Sequence, residues 1–216
     1  MVVEVSDVSL RYGDQVIFDR FSLNQNAGEH MLLLGASGSG KTTLINLITG
    51  LLSPDSGAVT IDGEMMSSLS GSARDDLRRR KIGVIFQTLR LISALTVRAN
   101  LRLAQKLAGV GTDDRAIGQL LEAVGVAHRA DAAPRALSQG EAQRAAIARA
   151  LVTKPALLIA DEPTSALDDA NAERIGQLLL DTANANGSTL LIATHDARLK
   201  SFIPNAITLS SRLRAA

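Results

Sequence analysis

The stretch Gly35-Ala36-Ser37-Gly38-Ser39-Gly40-Lys41-Thr42 has the residue types and spacing to hold phosphate. Its pattern, G-x-x-x-x-G-K-[ST], lies between the apolar run Met31-Leu32-Leu33-Leu34 and the helical continuation Thr43-Leu44-Ile45-Asn46-Leu47-Ile48, the strand–loop–helix context that gives it meaning. Glycines let the backbone curl so that successive N–H groups point inward, and the helix N-terminus adds the positive end of its dipole. Lys41 would reach the β- and γ-phosphates of a nucleotide, and Thr42 would ligate Mg²⁺.

A second group with chemical potential is Leu157-Leu158-Ile159-Ala160-Asp161-Glu162, an apolar run that ends in two carboxylates. At the carboxyl edge of a sheet, Asp161 is suited to hold Mg²⁺ and Glu162 to orient and deprotonate a water attacking a γ-phosphate. The same pair before Pro163 also fits a solvated turn. Leu137-Ser138-Gln139-Gly140-Glu141 opens a helical run, and Ser138 with Glu141 forms S-x-x-E, a capping box that needs no ligand. An exposed helix N-terminus with glycine in its first turn is also an anion site, so both readings stand. Gln87, His195 and Asp168 each follow or precede a predicted element. Their ordinary explanations are an exposed amide, a satisfied imidazole and an N-cap.

The elements that must position these residues follow from periodicity. Val3-Glu4-Val5-Ser6 and Val8-Ser9-Leu10-Arg11 alternate, turn at Tyr12-Gly13-Asp14 and resume at Gln15-Val16-Ile17-Phe18, which predicts a hairpin. Gly50 is placed as the cap after the phosphate-binding helix, and Ala58-Val59-Thr60-Ile61 as a strand. Lys81 to Gln87 is predicted as a buried strand whose last residue emerges. Helices are predicted over Val97–Leu107, Asp113–Val124 and Gln139–Val152. The runs Leu157–Ala160 and Thr189–Ala193 suit a parallel sheet buried on both faces, and Ile175, Leu178, Leu179 and Thr182 share one face of a helix ended by Gly187. The basic run Arg78-Arg79-Arg80-Lys81 reads as a solvated helix end, or else as a contact for anionic headgroups or a partner.

At 216 residues the chain has room for one well-buried α/β domain with an inserted subdomain. A net charge of +1 and an aromatic content of 2% leave little field or stacking surface for nucleic acid, which is not expected as a partner. No apolar run reaches the ~20 residues of a membrane span and the N-terminus lacks signal-peptide character, so the chain is expected to stay in the cytosol. With zero cysteines, disulfides and thiolate metal sites are excluded.

Taken in order, Tyr12, GASGSGKT, Gln87, LSQGE, LLIADE, SALD and His195 resemble the nucleotide-binding domain of an ABC transporter over the whole chain. The segment LSQGEAQRAAIARAL, directly before the acidic strand, is distinctive of that family, and the compact size and IGVIFQ resemble the lipoprotein-release and macrolide-export ATPases within it. The resemblance implies a P-loop NTPase (RecA-like) α/β core with a mostly parallel sheet, an N-terminal antiparallel β subdomain and an inserted α-helical subdomain at residues 88–154 that carries the signature helix, all within one ATP-binding domain spanning 1–216. Since the chain runs only a short way past its last strand, no C-terminal regulatory domain is expected.

The resemblance further implies that ATP and Mg²⁺ are bound by the loop from Gly35 through Ala36, Ser37, Gly38, Ser39, Gly40, Lys41 and Thr42 to Thr43, with Thr42, Asp161 and Gln87 at the metal. By the same resemblance Tyr12 stacks on adenine, Glu162, His195 and Lys41 are catalytic, with His195 contacting the γ-phosphate, and Gln87 lies in the loop that senses the membrane subunit and the metal. Ser138 and Gly140 would contact the γ-phosphate of a second, head-to-tail copy, and Asp168 would communicate across that interface. The implied function is ATP hydrolysis that drives integral-membrane permease subunits at the cytoplasmic face, in export or lipoprotein or lipid release. The alternatives are transmembrane signalling of the cell-division type and a soluble ABC-type ATPase. Two positions depart from the commonest signature, Gln139 for glycine and Glu141 for glutamine. Glu141 adds negative charge near a phosphate, so lower activity is an expectation. A proline often found after Gln87 is also missing from Thr88 to Leu95.

Overall fold

In the computed structural model, which describes residues 1–165 and 167–210, the continuous apolar runs become the strands of one parallel sheet. Ala166 and the end of the chain, on which the expectation about a C-terminal domain rests, lie outside the described residues. The elements are β1 (Val3–Tyr12), β2 (Gln15–Gln25), β3 (Met31–Leu34), α1 (Lys41–Ile48), β4 (Ser56–Ile61), β5 (Glu64–Met65), α2 (Gly71–Lys81), β6 (Ile82–Ile85), α3 (Val97–Leu107), α4 (Asp114–Ala123), α5 (Gln139–Leu151), β7 (Leu157–Asp161), α6 (Asp169–Asn186), β8 (Thr189–Thr194) and β9 (Ala206–Thr208). Among the described residues the strands form a parallel sheet ordered β6-β7-β8-β3-β9 and an antiparallel sheet ordered β2-β1-β4-β5. The fold is thus the expected P-loop α/β type with an N-terminal antiparallel sheet.

Alternate residues of each central strand serve two separate cores. Leu32, Leu158, Leu190 and Ile192 pack with α3, α4, α5 and α6, whereas Leu33, Leu157, Ile159 and Leu191 pack with α1 and the antiparallel sheet. Burial on both faces is why these strands read as unbroken apolar runs rather than alternating ones. The antiparallel sheet has only one buried face, so Val3, Val5, Val8 and Leu10 alternate with exposed or half-buried neighbours. A register shift between Val5 and Val8, with Asp7 at φ 48°, lets β1 serve both β2 and β4 along its length.

Most element boundaries fall within two residues of the sequence expectation, and two differences bear on the site. Lys81 ends α2 instead of opening a strand, and β6 covers only Ile82–Ile85, leaving Phe86 and Gln87 beyond it. The helix escapes a periodicity reading because Leu77 is its only buried residue. Its polar face is tied by Arg80–Asp76 and Arg78–Asp75 pairs, and Arg78 to Lys81 lie at the negative end of its dipole. The basic run is therefore a helix end. In the other case, Thr49 caps α1 and Gly50 follows at φ 67°.

The helix that carries LSQGE is pressed directly onto the sheet. A Cβ built on Gly83 of β6 would lie 2.3 Å from the Ala150 carbonyl oxygen of α5 and 3.0 Å from Pro155. No side chain fits there without moving backbone. Gly83→Ala is therefore expected to cost about 1–3 kcal/mol of stability, the range for overpacking a filled core. Equilibrium urea unfolding would show it as a lower midpoint at constant slope, and an unchanged midpoint would contradict the close approach of α5.

Candidate functional site

Parallel register delivers the chemical residues to one edge. Leu34 of β3 is level with Thr194 of β8, Asp161 of β7 with Ala193 of β8, and Ile85 of β6 with Ala160 of β7. The residues that follow these strands, the glycine-rich loop, Glu162, His195 and Gln87, therefore leave the sheet on the same side. There they surround a cavity of about 380 Å³ lined by Ser37 to Thr43, Gln87, Glu162 and His195, with Gln15, Val16 and Ile17 of β2 closing one flank.

The loop is wound for an anion. Gly38 and Gly40 have φ values of 78° and 97°, a conformation that side chains resist, and a Cβ on Gly40 would sit 3.3 Å from the Phe18 ring. Gly40 precedes α1 as its N-cap and offers no side-chain cap, so the first N–H groups of that helix stay available to a ligand. Lys41 is buried, and its ammonium donates to the carbonyls of Gly35 at 2.7 Å and Ala36 at 3.1 Å. It also pairs with Glu162 Oε1 at 3.2 Å.

Glu162 is held from both sides. His195 Nδ1 lies 2.9 Å from Glu162 Oε2, and the Thr194 hydroxyl donates to the same oxygen at 3.4 Å. Glu162 also has φ 49°, a left-handed conformation that costs a non-glycine residue about 1–3 kcal/mol. A 2.8 Å hydrogen bond from its N–H to the Ala193 carbonyl holds the turn. This turn points the carboxylate back over the loop instead of into solvent, so the reading as a solvated turn does not apply.

Asp161 behaves differently although it is the next residue. It is buried, the Thr42 hydroxyl donates to its Oδ2 at 3.4 Å, and its Oδ1 is buried with no hydrogen-bond partner among the described residues. Burial first, then the charge of Glu162, raises its pKa above the ordinary carboxylate range, while Thr42 and Lys41 pull the other way. A buried carboxylate oxygen without a partner, facing a hydroxyl, is an oxygen donor set suited to Mg²⁺, which takes one or two protein ligands beside phosphate. The residues present therefore fit that ion.

The other sequence-predicted residues are not brought to this cavity. Ser138 caps α5 and forms the full capping box with Glu141. Gly140 and Asp168 line a separate cavity of about 330 Å³, and Asp168 caps α6 by accepting the Asn171 N–H at 2.9 Å. Tyr12 ends β1 with 52% of its surface exposed, outside the lining that β2 supplies. Sequence reasoning missed Gln15, Val16 and Ile17, for which the half-buried start of a return strand was the available signal. It also missed the partners of Glu141. Arg129 Nε donates to its Oε1 at 2.8 Å and His128 Nε2 lies 3.2 Å from the same oxygen, while Oε2 accepts the Ser138 N–H at 2.8 Å and hydroxyl at 3.0 Å. Arg129 foremost, with the Ser138 bonds behind it, pulls the Glu141 pKa down to about 2.

Beside this site runs an apolar groove whose lining includes Phe86, Ile92, Leu103 and Leu107, with Arg90 and Arg149 among them. Arg149 donates to the carbonyls of Arg90 at 2.6 Å and Val84 at 3.3 Å, and the Arg90 guanidinium lies 4.4 Å from the Phe86 ring centroid. Gln87, which lines the phosphate cavity, directly follows Phe86 of this groove.

Comparison with known proteins agrees with this geometry. The family profile described as ABC transporter matches residues 18–165. The chain is 40% identical over 214 residues to an uncharacterized ABC transporter ATP-binding protein of Mycobacterium tuberculosis, covering 96% of this chain and 86% of that one. It is 44% identical over 197 residues to the methionine import ATP-binding protein MetN of Rhizobium johnstonii, covering 90% of this chain and 54% of that longer protein. Among solved structures, a dimeric bacterial ABC transporter cassette superposes with a TM-score of 0.86 at 33% identity, over 97% of this chain and 94% of that one. A post-hydrolysis dimer of that cassette bound to ADP and Pi gives the same TM-score, 0.86, at 32% identity over 99% of this chain and 100% of that one.

The environment of Asp161 has a measurable consequence for stability. A carboxyl whose folded pKa is raised favours the folded state least when ionised, so its penalty is absent below the unfolded pKa, grows as pH rises from there and is full only above the folded pKa. Asp161→Asn is therefore expected to raise Tm at pH 7 in buffer without divalent cations. The advantage should shrink toward pH 4, and scanning calorimetry at the two pH values would reveal a pH-independent change if burial of the charge were not the cause.

Proposed function

The chain belongs to the ABC transporter family, and from that premise we propose that two copies close head to tail on ATP to move integral-membrane permease subunits. It is an ATPase that uses ATP with Mg²⁺, as the whole-chain similarity to a cassette bound to ADP and Pi supports. The observation that carries the shared-site reading is that Gly140 and Asp168 line a different cavity from the one around Lys41 and Glu162. Ser138 lines neither of them. In this reading the α5 N-terminus of a second copy completes the phosphate site, which the separation of the two linings supports. Residues 88–154 form the inserted helical subdomain in this reading.

The residue roles in this reading rest on the family resemblance, with the geometry in support. The loop from Gly35 to Thr43 cradles the phosphates, and Lys41 exchanges Glu162 Oε1 for the β- and γ-phosphate oxygens, which frees that carboxylate oxygen to act as a base. When bound, Mg²⁺ neutralises charge on the phosphates, and Thr42 and Asp161, with Gln87 beside them, would hold it. Glu162 orients the attacking water and takes its proton as the new P–O bond forms and the bond to the β-phosphate oxygen breaks. His195 holds Glu162 Oε2 and lies within the cavity to contact the γ-phosphate. Tyr12, exposed at the hairpin end, stacks on adenine.

The membrane partner docks in the groove beside Gln87, and the protein works at the cytoplasmic face of the membrane through that partner. Among the described residues no helix is long and apolar enough to cross a membrane. We assign export or lipoprotein release as the finer function, on the Ile82–Gln87 segment. Its 44% identity to a methionine import protein supports the opposite direction as a second reading. Substrate flux in vesicles reconstituted with the membrane subunit separates the two.

Glu162→Gln should bind ATP yet lose roughly 10² to 10⁴ of turnover, the contribution of a positioned base. With MgATP that variant should sediment as a dimer, and adding Ser138→Arg should return it to monomer. Near-normal hydrolysis by Glu162→Gln would remove Glu162 as the base, and a monomer under both conditions would remove the shared site.

Gln87→Ala addresses delivery of the work. Coupling is a differential free energy between open and closed states, so loss of the link should spare nucleotide affinity and abolish most of the stimulation given by the reconstituted membrane subunit. ATPase rates with and without that subunit provide the measurement, and full stimulation in the variant would take Gln87 out of the transmission path.

A further inference from the structure

Glu141 places a permanent negative charge in the first turn of α5, the helix end that the shared-site reading directs at a partner's γ-phosphate. A carboxylate there satisfies the capping box yet opposes an incoming anion. It also competes for a proton, because the Ser138 hydroxyl donates to Glu141 Oε2 at 3.0 Å while accepting the Glu141 N–H at 3.3 Å. To donate to phosphate, that hydroxyl must turn away from the carboxylate. The other carboxylate oxygen is occupied from outside the helix, by Arg129 Nε at 2.8 Å and by the largely exposed His128 at 3.2 Å. Both come from the short 3-10 turn Ala127–Arg129 that follows α4.

We infer that Arg129 is a positioning residue for the phosphate-sensing end of α5: it holds and neutralises the Glu141 carboxylate, so that Ser138 and the helix N-terminus can accept the γ-phosphate bound to a second copy. This rests on the shared-site reading above. The Glu141 carboxyl, held down to about 2, is ionised at every physiological pH, so the compensating charge must be permanent, and a guanidinium is always charged. His128 alone is not a permanent charge. The departure of Glu141 from the commonest signature is thus matched by a second residue outside the signature, and lower activity need not follow from it.

The test uses Glu162→Gln as the parent and measures MgATP-driven dimerisation by sedimentation velocity over a range of protein concentrations. Adding Arg129→Ala should weaken the dimer about ten-fold, the scale of one uncompensated charge at a helix end and across an interface. Nucleotide affinity measured on the dilute monomer should be unchanged, because Arg129 does not line the phosphate cavity. Adding Glu141→Gln to the Arg129→Ala protein should restore dimerisation, since the charge that needed Arg129 is gone. Arg129→Lys, which keeps the charge, should stay within about threefold of the parent and serves if the alanine variant folds poorly. Dimerisation unaffected by Arg129→Ala, or no restoration by Glu141→Gln, overturns the inference while leaving the shared site intact. A parent that stays monomeric overturns both.

Discussion

Strand β8 lies between β3 and β7 in parallel, in-register pairing, and the chemistry of the molecule depends on that placement. Parallel strands end at one edge, so the loop after β3, the carboxylates ending β7 and the histidine after β8 emerge as neighbours although 119 residues separate Thr42 from Asp161. The pairing is also mechanically firm. Leu190 to Ala193 are fully buried, and each neighbour of β8 is itself packed on both faces. A slip of one residue in register would exchange the residues of the two cores, which makes the register strongly specified. The site inherits its precision from the core beneath it.

Two adjacent carboxylates acquire different characters from that edge. Asp161 is the last residue of its strand and is buried under the loop, whereas Glu162 turns through a left-handed conformation and meets Lys41 and His195. One becomes a buried oxygen ligand without a full set of partners, and the other a carboxylate balanced by cationic and imidazole groups. Burial without satisfaction is costly to the isolated fold. It is tolerated where a ligand with complementary charge supplies the missing partner, which is the physical sense in which the site is built for Mg²⁺ and phosphate.

Helix α5 bears two demands at once. Its C-terminal half is pressed onto β6 at Gly83 and contributes Ala145, Ile147, Ala148 and Leu151 to the core. Its N-terminal end carries a full capping box and, in the proposed shared site, would meet an anion from outside the subunit. The alanine-rich sequence serves the first demand, since small side chains allow close approach while favouring helix. The capping box, with Arg129 behind it, serves the second. Gln143 links the two regions by donating to the Pro163 carbonyl, next to Glu162.

Much of this was legible in the sequence because it is local. The phosphate loop, the capping box, the helices Val97–Leu107 and Gln139–Leu151 and the buried strands depend on residues a few positions apart, and contiguous backbone carries that information directly. Of helix α2 only the basic end was legible, since a single buried leucine leaves no period from which to read the rest. Tertiary structure alone decided that β2 and not Tyr12 lines the cavity, that Glu162 is clasped between Lys41 and His195, and that Arg129 reaches Glu141. These outcomes depend on strand order, on one left-handed residue and on the packing of a short turn against another helix. No repeat or spacing in the chain encodes them, because each is set by where two distant segments are buried together.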